Sequence, residues 1–176
     1  MQDYSSKSNV QLTTTLALEQ QVFELLKREN LTLTTAESAT GGMIAARLIN
    51  VSGISEFFTE GYVTYSDAAK VKMIGVDAEL IKKYGVVSRE VAENMALCAA
   101  KTANTDAALS VTGVAGPSGG TDECSVGTVF IGCFYKGRVL VEHHIFEGDR
   151  QSVRSQAAEC ALRLLLHFAS QNKEEL

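Results

Sequence analysis

The sequence lacks a C-x-x-C pair, a run of basic residues and a long apolar stretch, and it has one proline in 176 residues. Without C-x-x-C spacing, Cys98, Cys124, Cys133 and Cys160 read as free thiols of a reducing compartment, not as a zinc or redox motif. His143, His144 and His167 make no recognisable metal set, so neither a metal nor another cofactor is expected. A net charge of −5 with no cluster of Lys and Arg argues against nucleic acid as partner, because phosphate neutralisation needs clustered positive charge. No apolar run approaches the ~20 residues that cross a bilayer, and Met1 to Asn9 is polar without a signal-peptide core. A cytoplasmic protein with no membrane partner is the expectation.

What is present is ordinary globular composition, 45% apolar and 21% charged, in a length suited to one domain. We read a flexible polar tail over residues 1–9, a domain over 10–170 and a second tail over 171–176. Leu16, Leu18, Val22, Phe23, Leu25 and Leu26 share a helical face that should pack on a sheet, and Asn30 is a stop. A strand follows over Leu31 to Ala36, then a turn and a helix from about Ala39 to Ile49, with Ile44, Ala45, Leu48 and Ile49 apolar. Thr59 to Tyr65 reads as a strand, and Ser66 as the N-cap of a helix that carries Lys70 and ends at Gly75. Short and long helices are expected over Ala78 to Tyr84 and Ser88 to Ala103, and a buried strand over Asp106 to Thr112. Gly127 to Tyr135 and Arg138 to Phe146 flank Lys136-Gly137 as a β-hairpin, before a last helix from Arg150 to Ser170. The fold class is α/β: a single layered α/β/α domain with a mixed sheet that includes a C-terminal antiparallel hairpin.

Two stretches carry candidate chemistry. In Thr34-Thr35-Ala36-Glu37-Ser38-Ala39-Thr40-Gly41-Gly42, Ser38 falls between strand and helix, where unpaired N–H groups favour negative charge. Ser38 is a nucleophile on one reading; on the other, it or Thr40 is simply an N-cap. Gly41 and Gly42 suit close backbone approach, to a ligand or to a packed neighbour. Gly113 to Gly120 holds four glycines and the proline; without a Walker Lys-Ser/Thr or a helix opening, it supports neither a triphosphate nor a Rossmann site. A serine nucleophile needs a base, and the histidines are badly placed for it. Lys70, near a helix start and partly buried, is a base if its ammonium is disfavoured and otherwise a solvated lysine; Tyr65 just before it is a candidate proton relay.

With these blocks in order, the chain resembles the CinA C-terminal domain family, the stand-alone nicotinamide-nucleotide amidases. The resemblance rests on the Thr34 to Gly42 block, Tyr65-Ser66-x-x-Ala69-Lys70 with Ile74-Gly75-Val76, Gly113-x-Ala115-Gly116-Pro117-x-Gly119-Gly120, Val126-Gly127-Thr128-Val129, and Gly148-Asp149-Arg150. It implies hydrolysis of nicotinamide mononucleotide to nicotinic acid mononucleotide and ammonia without a metal, with Ser38, Tyr65 and Lys70 catalytic. Glu37, Thr40, Gly41, Gly42, Thr112, Gly113, Gly116, Gly119, Gly120 and Arg150 are the implied substrate-binding residues. The phosphate cradle is left among the start of the helix after Ser38, the second glycine loop and Arg150. The resemblance also implies a homo-oligomer. Ala39 stands where the family often has Cys, and Ser125 where it often has Pro, so a mechanism on a neighbouring thiol is excluded. Longer members carry an N-terminal domain associated with nucleotide pyrophosphate hydrolysis, with no counterpart in these residues. A catalytically silent nucleotide-binding or regulatory module is the competing expectation, and a purely structural subunit a third.

Overall fold

A computed structural model describes residues 16–171, so the tail read over 1–9 and the last residues, 172–176, lie outside the described part. The elements are α1 (Leu18–Glu29), β1 (Leu33–Glu37), α2 (Met43–Leu48), a 3-10 turn (Ile54–Glu56), β2 (Phe58–Val63), α3 (Asp67–Ile74), α4 (Ala78–Tyr84), α5 (Arg89–Ala103), β3 (Ala107–Gly113), β4 (Thr128–Tyr135), β5 (Arg138–Ile145) and α6 (Arg150–Gln171). The strands form one mixed sheet in the order β2-β1-β3-β4-β5. β1 runs parallel to both of its neighbours, while β3, β4 and β5 are successively antiparallel. α5 packs across one face; α6 lies on the other, with α1 and α2 against it. The layered α/β architecture with its C-terminal hairpin thus matches the sequence reading.

Local sequence explains most of the boundaries. Ser66, Asp77 and Ser88 cap α3, α4 and α5 by accepting hydrogen bonds from the N–H groups of Ala69, Glu79 and Val91. Asn30, Gly75 and Asn104 end α1, α3 and α5 in the left-handed conformation. Strand alternation then divides the core. Leu33, Leu109, Val111 and Ile131 join Val22, Leu26, Leu162 and Leu165 on the α6 side, whereas Ala36 and Ala108 meet Val91, Met95 and Ala99 of α5. α5 approaches the sheet closely. Ser110 Oγ donates to the Ala92 carbonyl at 2.6 Å, and a Cβ on Gly132 would lie 2.7 Å from that same oxygen, which is why a glycine stands there.

Several boundaries depart from the sequence reading: β1 is Leu33–Glu37 and not 31–36, and β2 is Phe58–Val63 and not 59–65, which leaves Tyr65 beyond the strand. α1 starts at Leu18, leaving Leu16 outside it and 53% exposed; its main packing is against α6 and α2, with Val22 and Leu26 reaching the sheet's core cluster. α2 starts at Met43 instead of Ala39 and leaves Ile49, read as one of its apolar positions, at its C-cap and 65% exposed. α6 runs on to Gln171. Arg47 ties three helices together, its guanidinium 2.8 Å from both Glu19 of α1 and Glu159 of α6.

A second clasp joins α1 to the hairpin. Glu29 accepts from Tyr135 Oη at 2.5 Å and from Lys136 Nζ at 3.0 Å. Burial raises this carboxyl, but the hydrogen bonds from Tyr135, Lys136 and Arg28 outweigh it and hold it at about 2. The stabilisation is therefore present above the usual carboxylate range and lost as pH falls toward that value. Glu29→Gln should cost on the order of 2 kcal/mol at neutral pH. In urea melts the wild-type advantage should shrink from about pH 5 downward; an advantage that stays constant to pH 2.5 would contradict the assignment.

Candidate active site

Because β1 is parallel to β2 and β3, the carboxyl ends of these three strands lie side by side, the edge at which open α/β sheets commonly bind ligands. Glu37, the last residue of β1, stands opposite Val63 of β2 and Val111 of β3. One residue on, Ser38 N donates to the Val111 carbonyl at 3.0 Å, and Thr64 N donates to the Glu37 carbonyl at 2.8 Å. Ser38 is thereby held between the segment leading to Tyr65 and the Thr112-Gly113 end of β3.

The turn that follows is organised by Glu37. Its fully buried carboxylate accepts from Gly42 N at 3.0 Å, Ile44 N at 3.0 Å and Ala45 N at 2.9 Å. These are the donors an α-helix leaves unpaired at its start. The N-cap position is Gly42, which makes no side-chain bond, so neither Ser38 nor Thr40 caps α2. Gly41 and Gly42 have φ of +59° and +95°, conformations in which an L side chain costs about 1–2 kcal/mol. Gly41 also lets Arg154 come close, since a Cβ there would lie 3.4 Å from Arg154 Nη2.

Lys70 completes the cluster. Its backbone N–H bonds to the Ser66 carbonyl in the first turn of α3, and the side chain runs back to the sheet. Nζ lies 3.1 Å from Ser38 Oγ and 2.9 Å from the Thr64 carbonyl oxygen, with the residue 1% exposed. Burial lowers the Lys70 pKa, and the Asp67 carboxylate partly opposes this. A neutral amine fits both contacts, donating one N–H to Thr64 and presenting its lone pair to the Ser38 hydroxyl.

The group opens into a cleft of about 250 Å³, lined by Ser38, Ala39, Tyr65, Asp67, Lys70, Val86, Val87, Thr112, Gly113, Ala115 and Arg150. Tyr65 is 63% exposed, and its hydroxyl accepts from Arg150 Nη2 at 3.0 Å; Lys70 bonds instead to Ser38 and Thr64. Arg150 Nη1 donates to the Gly116 carbonyl at 2.8 Å. Thr112 Oγ1 donates to the Val86 carbonyl at 2.7 Å and so holds the opposite wall. The structure thus brings Ser38, Tyr65, Lys70, Thr112, Gly113 and Arg150 to one cleft, with Gly116 at its edge. Glu37, Thr40, Gly41 and Gly42 build the turn behind Ser38, and Gly119 and Gly120 are exposed and do not line the cleft. Sequence reasoning missed Asp67 as a lining residue and Arg154 as a partner of the Ser38 turn. Arg154 had a signal: it lies four residues after Arg150, on the same helix face.

The CinA C-terminal domain model matches residues 15–169. A CinA-like protein of Citrifermentans bemidjiense is 51% identical over 144 residues, 82% of this chain and 35% of its own. One of Kosmotoga olearia is 47% identical over 146 residues, 83% of this chain and 35% of its own. The chain spans 35 to 39% of the length of the first curated relatives it matches. Among solved structures, a CinA superfamily protein from Escherichia coli superposes with a TM-score of 0.83 at 35% identity, covering 88% of this chain and 94% of that one. A competence/damage inducible protein from Agrobacterium tumefaciens gives 0.83 at 35% identity, covering 85% and 92%.

Glu37→Gln replaces one acceptor oxygen with an NH₂ group that must face a backbone N–H. It should destabilise the protein by about 1–3 kcal/mol in denaturant titration. An unchanged midpoint would show that α2 does not need this cap.

Proposed function

The chain belongs to the CinA C-terminal domain family, and from that premise we propose that it is an amidohydrolase converting nicotinamide mononucleotide to nicotinic acid mononucleotide and ammonia. The observation that carries the reading is the buried Lys70 Nζ at 3.1 Å from Ser38 Oγ, within reach of a proton transfer. In this mechanism neutral Lys70 takes the Ser38 proton as Oγ bonds to the carboxamide carbon. The resulting ammonium then protonates the leaving nitrogen, the C–N bond breaks and ammonia departs. Water, deprotonated by the same amine, adds to the acyl carbon and releases the acid, returning the proton to Ser38.

The tetrahedral intermediate requires N–H donors. Ser38 N is bonded to Val111 and Gly42 N to Glu37, but the N–H of Ala39, which borders the cleft, bonds to no protein group among the described residues. We assign it to the oxyanion. The start of α2 is already occupied by Glu37, so we assign the phosphate to Arg150, which lines the cleft and whose two terminal nitrogens donate to Tyr65 Oη and the Gly116 carbonyl. Tyr65 then acts on the ligand and Arg150 and has no direct bond to the proton-transferring pair. The same reading takes the protein to be cytoplasmic, in keeping with its free cysteines. It also takes it to be a homo-oligomer, for which exposed Val63, Val71 and Met73 offer apolar surface. No helix among the described residues is long and apolar enough to cross a membrane.

The purified protein should release ammonia from nicotinamide mononucleotide, and Ser38→Ala and Lys70→Ala should each lower kcat by at least about 1000-fold. Wild-type release no greater than that of Ser38→Ala would end the amidase reading. Activity should rise with pH as Lys70 loses its proton, with a midpoint below the ordinary lysine value. The Asp67 carboxylate favours the ammonium, so Asp67→Asn should move that midpoint to lower pH; a shift upward, or none, would contradict Lys70 as the titrating base.

A further inference from the structure

Arg154 donates to two successive carbonyls of the Ser38 turn, from Nε to Ala39 O at 3.1 Å and from Nη2 to Thr40 O at 2.9 Å. Its remaining terminal nitrogen lies 3.4 Å from Gln151 Oε1. The fork is thus committed to backbone, unlike that of Arg150, which borders the cleft. The turn needs such a restraint. Gly41 and Gly42 carry positive φ and have no side chains to resist rotation of the neighbouring peptides. Rotation of the Ala39–Thr40 peptide would swing the Ala39 carbonyl off Arg154 and shift the Ala39 backbone, and with it the N–H that borders the cleft, from where an oxyanion needs a donor.

We infer that Arg154 is a positioning residue that holds the Ala39–Thr40 and Thr40–Gly41 peptides by their carbonyls, next to the Ser38–Ala39 peptide that Gly41 N holds by donating to the Ser38 carbonyl at 3.1 Å, and that the turn so fixed keeps the Ala39 N–H aimed at the reacting centre. It acts on the transition state and not on the affinity for the nucleotide. Lysine cannot replace it, because a single ammonium does not reproduce the planar two-point fork. The inference rests on the amidase reading, so its test needs a readout that does not depend on the nucleotide.

Arg154→Ala and Arg154→Lys are compared with wild type in two assays: steady-state ammonia release, and the rate at which a fluorophosphonate labels Ser38, read by mass spectrometry. Both variants should lose about 10- to 100-fold in kcat with KM within about twofold, and labelling should slow in parallel. Added guanidinium should restore part of the loss in Arg154→Ala and none in wild type. An unchanged kcat and labelling rate, or a KM that rises while kcat holds, would overturn the inference, the latter making Arg154 a ligand contact. Should Arg154→Ala fail to fold, Arg154→Lys decides by the same criteria. If wild type is labelled at Ser38 yet releases no ammonia, the amidase reading fails, and the labelling comparison still decides the role of Arg154.

Discussion

The carboxylate of Glu37 is the constraint on which the site depends. It ends β1 and points into the first turn of α2, where three backbone N–H groups close on it. Charge-assisted hydrogen bonds of this kind are individually stronger than neutral ones, and the helix dipole adds to them. A single side chain therefore sets the distance from strand to helix. The five residues between Glu37 and Met43 have to make a tight turn over it, which places Ser38 at the mouth of the sheet and requires positive φ at Gly41 and Gly42. This also explains why α2 begins later than its apolar pattern implies. The periodicity of Ile44 and Leu48 marks the helix face, but the start is fixed by the groups that satisfy its first amides.

The second element is a burial that works against stability. Lys70 is held almost without solvent contact, and its Nζ meets a hydroxyl and a carbonyl instead of a carboxylate. Burying an ammonium without a carboxylate in contact is costly, and burial therefore pushes the Lys70 pKa down, with the Asp67 carboxylate opposing it. A lowered pKa favours the neutral amine, the form able to accept a proton. The same geometry that weakens the fold locally sets an amine beside the Ser38 hydroxyl, and the parallel register of β1 with β2 contributes by bringing Thr64, whose carbonyl Lys70 bonds, next to Glu37.

Much of this was legible in the sequence because it is local. The helix cap at Ser66, the helix opening at Ser88, stops at Asn30 and Gly75, and the hairpin at Lys136-Gly137 depend on residues a few positions apart. Ser38 and Lys70 could be named from their places at a strand end and a helix start, but their 3.1 Å contact follows from sheet register, which no local pattern encodes. Glu37 enters the implied binding set through the Thr34 to Gly42 block that carries the family resemblance; only the turn geometry assigns its oxygens to backbone. Tyr65 was read as a relay because it precedes Lys70 in sequence. The chain turns sharply at Ser66, and the phenol emerges toward α6 and Arg150.

The two arginines on α6 show how one helix can serve the site in two ways. Arg150 and Arg154 are one turn apart and face the same way, yet Arg150 reaches a phenol and a loop carbonyl while Arg154 reaches the carbonyls that follow Ser38. Asp149 accepts from Ser152 N at 2.8 Å and caps the helix just before them, fixing the height at which both project. A shift of α6 along its axis would move both contacts together. The packing of Val153, Ala157 and Ala161 into the core holds that axis in place, so the small residues of this helix set the spacing between the Arg150 end of the cleft and the turn that carries Ser38.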